Sequence, residues 1–294
     1  MKTVFLTGCT GDSGPHFLTA LSDRYHVLAL VRKKPPIALD NVEWVVGDLS
    51  HVPLFSSFLS ETDFLVHLGA YTRNDNRALL QKINVEGTHE LLSAAKENRV
   101  ASAIVFSTAA VTHEWLTPYA KSKILMEKKI MGIDLPMVIM RPTIMYHQGG
   151  RMFDRFLSLV KNPFPVIPLP NNGNALINPV YTPDVARWVA ERLRRPVHGK
   201  QVVDAGYRFP YSLQAFIREL LHLTRVKKNI LDFPPSILLK SLRPFLDTWS
   251  VFPNFLYSLA AIESGYRIDS SSFYDACQFS ITTPAEGIRK CLMG

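Results

Sequence analysis

The chain has 294 residues, of which 47% are hydrophobic and 20% are charged, and its formal net charge at pH 7 is +8. These proportions are those of a globular protein with a core, so a disordered chain is excluded. The positive charge favours an anionic partner, such as a phosphorylated cofactor, an acidic substrate or a membrane surface. Its short basic clusters lack the interleaved aromatic residues of a nucleic-acid stacking surface, so no nucleic-acid partner is expected.

The cysteines are isolated from one another in the sequence. Cys9, Cys277 and Cys291 form no CxxC pair, so neither a disulfide framework nor a metal site is expected. The apolar run at the amino end is too short for the core of a signal peptide, and no stretch is long enough to span a bilayer. We therefore expect a soluble, cytoplasmic protein.

Short apolar runs alternate with helical patterns through the first half of the chain. This alternation is typical of βαβ units, and the continuous Val, Ile, Leu and Phe runs indicate strands that are covered on both faces. The sequence therefore predicts an α/β protein with a doubly wound parallel sheet. The predicted strands are residues 3–6, 26–31, 43–46, 64–68, 103–107, 137–140 and 201–205, and the clearest predicted helices are 17–22, 77–98 and 184–194.

Proline and glycine become frequent after residue 147, which indicates a second structural unit. We predict a sheet domain of residues 1–146 and 178–208, and a smaller, discontinuous C-terminal substrate lobe of residues 147–177 and 209–294. The segments 233–246 and 252–262 are unusually apolar. They favour the core of a substrate lid, with an apolar substrate pocket or a peripheral membrane contact as alternatives.

A glycine-rich loop directly follows the first predicted strand and opens a helix. Glycines at three fixed positions let the backbone turn tightly, approach a pyrophosphate and pack the helix against the strand. The helix amides and dipole then favour the anion, so this loop predicts a dinucleotide site. The residues predicted to bind the cofactor here are Thr7, Gly8, Thr10, Gly11, Asp12, Ser13 and Gly14.

The second predicted strand ends without the acidic residue that would bind a ribose 2′-hydroxyl. Arg32 and Lys33 follow it instead, and their cationic groups suit a 2′-phosphate. We therefore predict NADP(H) as the preferred cofactor, with NAD(H) as the alternative. Asp48, with Leu49 after it, follows the third strand and is predicted to reach the adenine.

Tyr119 and Lys123 are four residues apart, which places both side chains on one face of a helix. A lysine there can hold the cofactor ribose and lower the pKa of the tyrosine phenol by its positive charge. The phenol can then exchange a proton with a substrate oxygen. This pair is the predicted catalytic centre.

Taken together, these features resemble the extended short-chain dehydrogenase/reductases, the NAD(P)-dependent epimerase/dehydratase family, over nearly the whole chain. The resemblance implies a Rossmann sheet for the cofactor. The motifs that carry it are residues 7–14 (TGCTGDSG), Asp48, 66–70 (VHLGA), 84–88 (NVEGT), Ser107-Thr108, Tyr119 with Lys123, 141–143 (RPT), 180–186 (VYTPDVA) and 283–288 (TPAEGI).

The resemblance also implies roles for residues outside the glycine loop. Thr108 would hydrogen-bond the reacting oxygen, and Asn84 would support the site indirectly. The helices near 77–97 and 119–130 would form a homodimer interface. The remaining cofactor contacts would come from Leu68, Gly69, Ala70, Pro142 and Thr143.

The chain departs from the family pattern in three places. Ala109-Ala110 stand where the 4,6-dehydratases carry an acid/base pair, which makes a dehydratase unlikely because elimination of water needs both groups. Ile177 and Asn178 replace the Arg-Asp pair of sugar-nucleotide epimerases, which weakens the case for a nucleotide-sugar substrate. Asp12 in the glycine loop places a carboxylate beside a pyrophosphate, which costs affinity unless other groups bind that carboxylate.

The sequence leaves three functions open. The leading hypothesis is an NADP(H)-dependent oxidoreductase that moves a hydride between nicotinamide and a carbinol or ketone carbon of a small substrate. The alternatives are a sugar or nucleotide-sugar epimerase with transient oxidation, and a non-catalytic NADP-sensing or nucleic-acid-binding relative. His113, between Thr108 and Tyr119, is either a solvated loop residue or an auxiliary substrate group, and His67 is expected to pack in the core.

Overall fold

This computed structural model describes residues 1–113, 116–233, 263 and 265–293. In that part of the chain, seven parallel strands form the central sheet. They are β1 (Thr3–Thr7), β2 (His26–Val31), β3 (Val42–Val46), β4 (Phe64–His67), β5 (Ser102–Phe106), β6 (Met137–Pro142) and β10 (Lys200–Ala205). Their order in the sheet is β3-β2-β1-β4-β5-β6-β10, and every neighbouring pair is parallel.

Helices cover both faces of this sheet. The helices of the described residues are α1 (Gly14–Ser22), α2 (Arg77–Leu79), α3 (Thr88–Glu97), α4 (Pro118–Ile130), α5 (Arg151–Lys161), α6 (Thr182–Arg192), α7 (Leu213–Thr224), α8 (Ser271–Asp275) and α9 (Pro284–Met293). Short 3₁₀ segments lie at Val52–Leu54, Ser56–Glu61, Ala109–Thr112 and Asn171–Gly173. The order of elements confirms the predicted α/β class with a doubly wound parallel sheet.

Alternate residues of each strand face two separate apolar layers. Val4 and Leu6 of β1 pack with Phe17 of α1 and Trp188 of α6, whereas Phe5 packs on the other face. The second layer is formed by α3 and α4. Burial on both faces explains why the strands are apolar throughout instead of alternating with polar residues.

A third apolar cluster lies beyond the carboxyl edge of the sheet. It is built from α5, α7, α9 and two short strand pairs. The strands of these pairs are β7 (Met145–Tyr146) with β9 (Val180–Tyr181), and β8 (Val166–Pro170) with β11 (Asn229–Phe233). The sequence predicted none of these four strands. β7 and β9 have two residues each, which is too few for a periodic signal, and prolines at 168 and 170 count against a strand in β8.

The limits of the second lobe stay a prediction. In the C-terminal segment assigned to that lobe, Phe273 of α8 stacks on Trp188 of the sheet layer, with ring centroids 5.6 Å apart. The predicted apolar segments 233–246 and 252–262 lie, except for the backbone of residue 233, outside the described residues. Among the residues described, no helix has both the length and the apolar character needed to cross a membrane.

Element limits differ from the predicted ones by small amounts. β1 continues to Thr7 and β6 to Pro142, and α1 begins at Gly14. The helix predicted over 77–98 ends at Glu97 and contains a π-helical segment, Leu80–Gly87, between α2 and α3. An apolar repeat of about 3.6 residues cannot reveal such a local widening, which is frequent at functional sites.

Gly14 is required by the close packing of α1 against the loop before it. A Cβ at residue 14 would lie 2.3 Å from the Gly8 carbonyl oxygen and 2.4 Å from that of Cys9. We expect Gly14→Ala to lower the free energy of unfolding by about 1–3 kcal/mol, because backbone atoms must move to admit the methyl group. Urea denaturation measures this change.

The matched control is Gly132→Ala, since a Cβ at residue 132 has its nearest neighbour at 3.8 Å. It should leave the free energy of unfolding within about 0.5 kcal/mol of that of the original protein. Equal effects of the two substitutions would contradict the packing argument.

Candidate active site

The predicted cofactor residues follow the carboxyl ends of parallel strands, so they lie along one edge of the sheet. The glycine loop follows β1, Arg32 follows β2, Asp48 follows β3 and Gly69 follows β4. β1 and β4 are neighbours in the sheet, although their flanking connections leave in opposite directions. Ligands of open α/β sheets bind in the crevice at such a switch point.

The glycine loop lies directly against the end of β4. Gly8 has a φ of +80°, and a Cβ on it would lie 2.6 Å from the amide nitrogen of Gly69. The Thr7 hydroxyl accepts a hydrogen bond from that same amide, at 3.1 Å. A Cβ on Gly69 would meet the Leu49 side chain at 2.7 Å. The loops after β1 and β4 therefore meet at backbone distance, and the Leu49 side chain from the loop after β3 packs against them.

This loop fits the pyrophosphate of a dinucleotide. Its internal hydrogen bonds run from the Gly11 amide to Gly8 and from the Gly14 amide to Gly11, each at 3.0 Å. The amides of Asp12 and Ser13 have no acceptor in the described part of the chain, and they lie at the amino end of α1. Free amides at a helix amino end bind anions. Thr10 is exposed in the same turn.

His67 is a core residue, as expected. It is fully buried, and its Nδ1 and Nε2 lie 2.7 Å from Thr7 Oγ1 and 2.9 Å from Thr88 Oγ1. Burial lowers the pKa of His67 to about 3, and the charge of Lys123 acts in the same direction. The ring is therefore neutral and ties the glycine loop to the start of α3.

The cationic residues after β2 are exposed, and the charge of one of them, Arg32, acts on a carboxylate. Burial alone would raise the pKa of Asp48, but hydrogen bonds from Ser50 and the charge of Arg32 bring it below its ordinary value. Asp48 Oδ1 accepts from the Ser50 amide at 2.8 Å. Arg32 is thus beside the predicted adenine residue, and Lys33 next to it is equally exposed.

Tyr119 is held in place by its backbone. Its amide donates to Asn74 Oδ1 at 3.0 Å, and its carbonyl accepts from the Ser122 hydroxyl at 2.7 Å. Asn84, in the π-helical segment, donates to Ser122 Oγ at 2.9 Å and to the Tyr71 carbonyl at 2.9 Å. Asn84 thus links the loop after β4 to the helix that carries Tyr119.

Asn74 and Ser122 were not predicted from the sequence. Asn74 is 45 residues from Tyr119 along the chain, and no motif connects the two. The signal that existed was Asn84, which was predicted to support the site indirectly, and its contacts agree with that role. The fully buried position of Asn84 also explains the need for hydrogen bonds on both ends of its amide.

Lys123 is buried and bonded to the backbone. Its Nζ donates to the Phe106 carbonyl at 2.8 Å and lies 3.6 Å from Met126 Sδ. Burial lowers the pKa of Lys123 to about 8, and Glu127 opposes that shift. No hydrogen bond joins the side chains of Thr108, Tyr119 and Lys123 within the described residues.

The pKa of the Tyr119 phenol is raised and not lowered. Burial is the main cause, and the neighbouring Tyr266 acts in the same direction. The expectation that Lys123 depresses this pKa is therefore not met in the structure, because burial of the phenol outweighs any effect of the lysine charge. The phenol is protonated at neutral pH.

Three further residues, Thr108, His113 and Tyr266, lie near the amino end of α4, the helix that carries Tyr119. Thr108 Oγ1 accepts from the Ala110 amide at 3.2 Å, which leaves its hydroxyl hydrogen free to donate. The His113 ring lies 4.6 Å from the Tyr266 ring and is 6% exposed, so it is not a solvated loop residue. Burial lowers its pKa to about 4. Tyr266 had no sequence signal, and Glu114-Trp115 lie outside the described residues.

The remaining predicted residues join the sheet to the lobe. Thr143, after Pro142 at the end of β6, donates from its amide to Ala205 at 2.9 Å and from its hydroxyl to the Asn178 carbonyl at 2.7 Å. Asn178 has a φ of +39°, and Ile177 is buried in the lobe core. The positions of the missing Arg-Asp pair thus hold structural residues. Leu68 and Ala70 flank Gly69 and are half-buried.

A partly buried ion pair joins α4 to β6. Arg141 Nε donates to Glu127 Oε1 at 2.9 Å, its terminal nitrogen donates to Oε2, and Ser107 donates to Oε1. Glu127 was not singled out in the sequence. Among the described residues, no group of His, Cys, Asp or Glu side chains is arranged to hold a metal ion.

The burial of Lys123 predicts a dependence of stability on pH. Its pKa is about 8 in the folded protein and 10.5 as the ordinary value, so the unfolded chain binds its proton more strongly. Stability therefore rises with pH between these two values. We expect the original protein to gain stability relative to Lys123→Met as the pH rises from about 7.5 to 10.

Urea denaturation at several pH values measures this difference. The control is Lys129→Met, which removes an exposed lysine of the same helix and should follow the original protein at every pH. A constant difference between the original protein and Lys123→Met would show that the ammonium group is not desolvated on folding.

Comparison with known proteins agrees with this geometry. Human dTDP-D-glucose 4,6-dehydratase is 28% identical over 265 residues, which cover 76% of this chain and 74% of the relative. The structure of MoeE5 in complex with UDP-glucuronic acid and NAD has a TM-score of 0.77 at 18% identity, and the match covers 98% of this chain and 97% of MoeE5.

A UDP-glucuronic acid 4-epimerase from Bacillus cereus, solved with UDP-glucuronic acid and NAD, has a TM-score of 0.75 at 19% identity, with 98% of this chain and 97% of the epimerase covered. At these identities the structural matches establish the fold. The family model for the NAD dependent epimerase/dehydratase family matches residues 4–206, which include the glycine loop, Tyr119 and Lys123. The chain therefore belongs to the NAD dependent epimerase/dehydratase family, an enzyme family within the extended short-chain dehydrogenase/reductases.

Proposed function

We propose that the protein is an NADP(H)-dependent oxidoreductase that moves a hydride between nicotinamide and a carbinol or ketone carbon of a small substrate. The single observation that carries this proposal is the position of Tyr119, whose backbone is fixed by Asn74 and Ser122 on the helix beside the dinucleotide crevice. A non-catalytic NADP-sensing or nucleic-acid-binding protein has no need for a tyrosine whose backbone is fixed in this way.

In the proposed reaction the bound nicotinamide supplies or accepts the hydride. Thr108, whose hydroxyl hydrogen is free, would donate a hydrogen bond to the substrate oxygen. Tyr119 would give a proton to that oxygen as the carbonyl is reduced, or take one as a carbinol is oxidised. Lys123 would hold the ribose of the cofactor, and Gly69 would let the backbone pass close to it.

The Tyr119 phenol has the protonation state that reduction needs. Burial raises its pKa, so the phenol carries its proton at neutral pH and can donate it to a substrate oxygen. Oxidation would need a lower pKa, which the cationic nicotinamide ring of an oxidised cofactor can supply by its charge.

We expect Tyr119→Phe to lower turnover by about 10²- to 10⁴-fold, because it removes the proton donor and leaves the ring. Its Kd for the dinucleotide should stay within about threefold. Turnover is followed by NADPH and NADH absorbance with a panel of simple ketones, UDP-glucose, UDP-glucuronic acid and dTDP-D-glucose. The control is Tyr207→Phe, which removes a phenol oxygen that has no hydrogen bond within the described residues. Unchanged turnover in Tyr119→Phe would remove the catalytic proposal.

The preference for NADP(H) is supported by Arg32 and Lys33, which are exposed after β2 where no acidic residue follows the strand. Three observations weigh against it. Arg32 lies near Asp48, which offsets part of its charge. MoeE5 was solved with NAD, and so was the Bacillus cereus epimerase, which gives the second and third observations.

We expect Arg32→Glu to raise the Kd for NADPH by about 10- to 100-fold, since it replaces an attraction to the 2′-phosphate by a repulsion. The Kd for NADH should change less than about threefold. Lys129→Glu makes the same change of charge on α4 and should alter neither value. Isothermal titration calorimetry measures both, and tighter binding of NADH than NADPH by the original protein would overturn the preference.

Epimerisation is the second candidate, because the structurally similar proteins include a UDP-glucuronic acid 4-epimerase. An epimerase oxidises and re-reduces one carbon, so it leaves the total NADPH unchanged, whereas a reductase consumes it with each turnover. Ile177 and Asn178 offer no cation for a nucleotide diphosphate, which favours net redox chemistry. Elimination of water has little support, since Ala109 and Ala110 are apolar where it needs an acid and a base.

A homodimer remains part of the proposal. The helices expected at its interface expose Leu79, Leu125 and Met131, each at least one-third accessible. A cytoplasmic location also remains a prediction.

A further inference from the structure

Asp12 reaches out of the glycine loop to the substrate lobe. Its Oδ1 accepts a hydrogen bond from the Arg151 amide at 3.2 Å and lies 3.4 Å from the Arg151 Nε. Arg151 is the first residue of α5, an 11-residue helix, so the carboxylate lies at the positive end of that helix. The contact joins residues that are 139 positions apart.

A buried histidine faces the same carboxylate. His147 is 6% exposed, and its Nε2 lies 4.0 Å from Asp12 Oδ2. Its Nδ1 is engaged with the Gln148 carbonyl at 3.0 Å, whereas Nε2 has no hydrogen-bond partner among the described residues. His16 packs on the ring at 4.5 Å, and a Cβ on Gly150 would lie 2.8 Å from Nε2. The ring is therefore fixed with an unused nitrogen directed at an anion.

These groups surround the loop that fits a pyrophosphate. The Asp12 and Ser13 amides are free at the amino end of α1, so a pyrophosphate bound to them would lie close to the Asp12 carboxylate. Two anions side by side repel each other unless cations or donors lie between them. The lobe supplies such groups from the opposite side, namely an arginine and a helix amino end, and the His147 imidazole packs beside them.

We propose that Arg151 and the amino end of α5 neutralise Asp12 and, with the imidazole of His147 packed beside it, form a clamp that completes the binding site for the cofactor pyrophosphate from the lobe side. This inference rests on the proposed function, because it assumes that the crevice binds a dinucleotide. The clamp makes the affinity for the cofactor phosphates depend on residues of the lobe. The sequence motifs place these residues outside the cofactor site.

The test compares four variants by calorimetry with NADPH and NADH. Arg151→Gln leaves Asp12 uncompensated and should raise the Kd by about 5- to 20-fold. Asp12→Asn keeps an acceptor for the Arg151 amide but removes the negative charge, so it should lower the Kd about threefold. The double variant should return close to the original value. The matched control is Arg155→Gln, one turn along α5 and exposed, which should stay within about twofold.

A second measurement separates the clamp from a structural role. Ligand-observed NMR gives the affinities of ADP and adenosine, which differ by the diphosphate. Arg151→Gln should weaken ADP by the same factor as the dinucleotide and leave adenosine unchanged. Equal losses for both would mean that the substitution only perturbs the fold, and thermal unfolding without ligand would then show a matching decrease.

Two failures can be told apart. If the original protein binds neither dinucleotide, the proposed function fails and the clamp fails with it. If the original protein binds a dinucleotide but Arg151→Gln and Arg155→Gln have the same affinity, the proposed function stands and the clamp alone is wrong.

Discussion

The site depends on the close approach of two backbone segments, the loop after β1 and the end of β4. Gly8 and Gly69 lie so close that a Cβ on Gly8 would be 2.6 Å from the backbone nitrogen of Gly69. The hydrogen bonds of Thr7 with Gly69 and His67, and of His67 with Thr88, hold this contact in the core. Because the neutral imidazole of His67 is hydrogen-bonded to a hydroxyl on each side, the glycine loop, β4 and α3 are joined into one unit.

The helix α4, which carries Tyr119, is joined to this unit by the side-chain amide of Asn84, and the Asn74 side chain accepts from the Tyr119 amide. Asn84 bonds the segment after β4 through Tyr71 and the helix through Ser122, and the π-helical segment brings its side chain to the point where both are in reach. Tyr119 is therefore placed by residues that take no part in the proposed chemistry. The partly buried pair of Glu127 and Arg141 fixes the same helix to β6, at a desolvation cost that its hydrogen bonds offset.

Charge in the crevice is balanced across the two parts of the molecule. Lys123 is buried with its ammonium on a backbone carbonyl, and Asp12 is matched by Arg151 and the amino end of α5. A carboxylate in the glycine loop, taken alone, would repel an anionic dinucleotide. The contact with Arg151 gives that carboxylate a structural role, since it joins the glycine loop to α5.

The sequence by itself determined the class of fold, the strands of the sheet, the glycine loop and the family, because these follow from apolar runs, glycine spacing and short motifs that act locally. Only the tertiary structure decided the strand pairs of the lobe, the π-helical segment and the roles of Asn74, Ser122 and Tyr266. It also reversed the expected pKa shift of Tyr119 and gave Asp12 its partners. The physical reason is the same in each case: contacts between residues far apart in the chain, such as Asp12 and Arg151 at 139 positions, and the burial that shifts a pKa, exist only once the chain is folded.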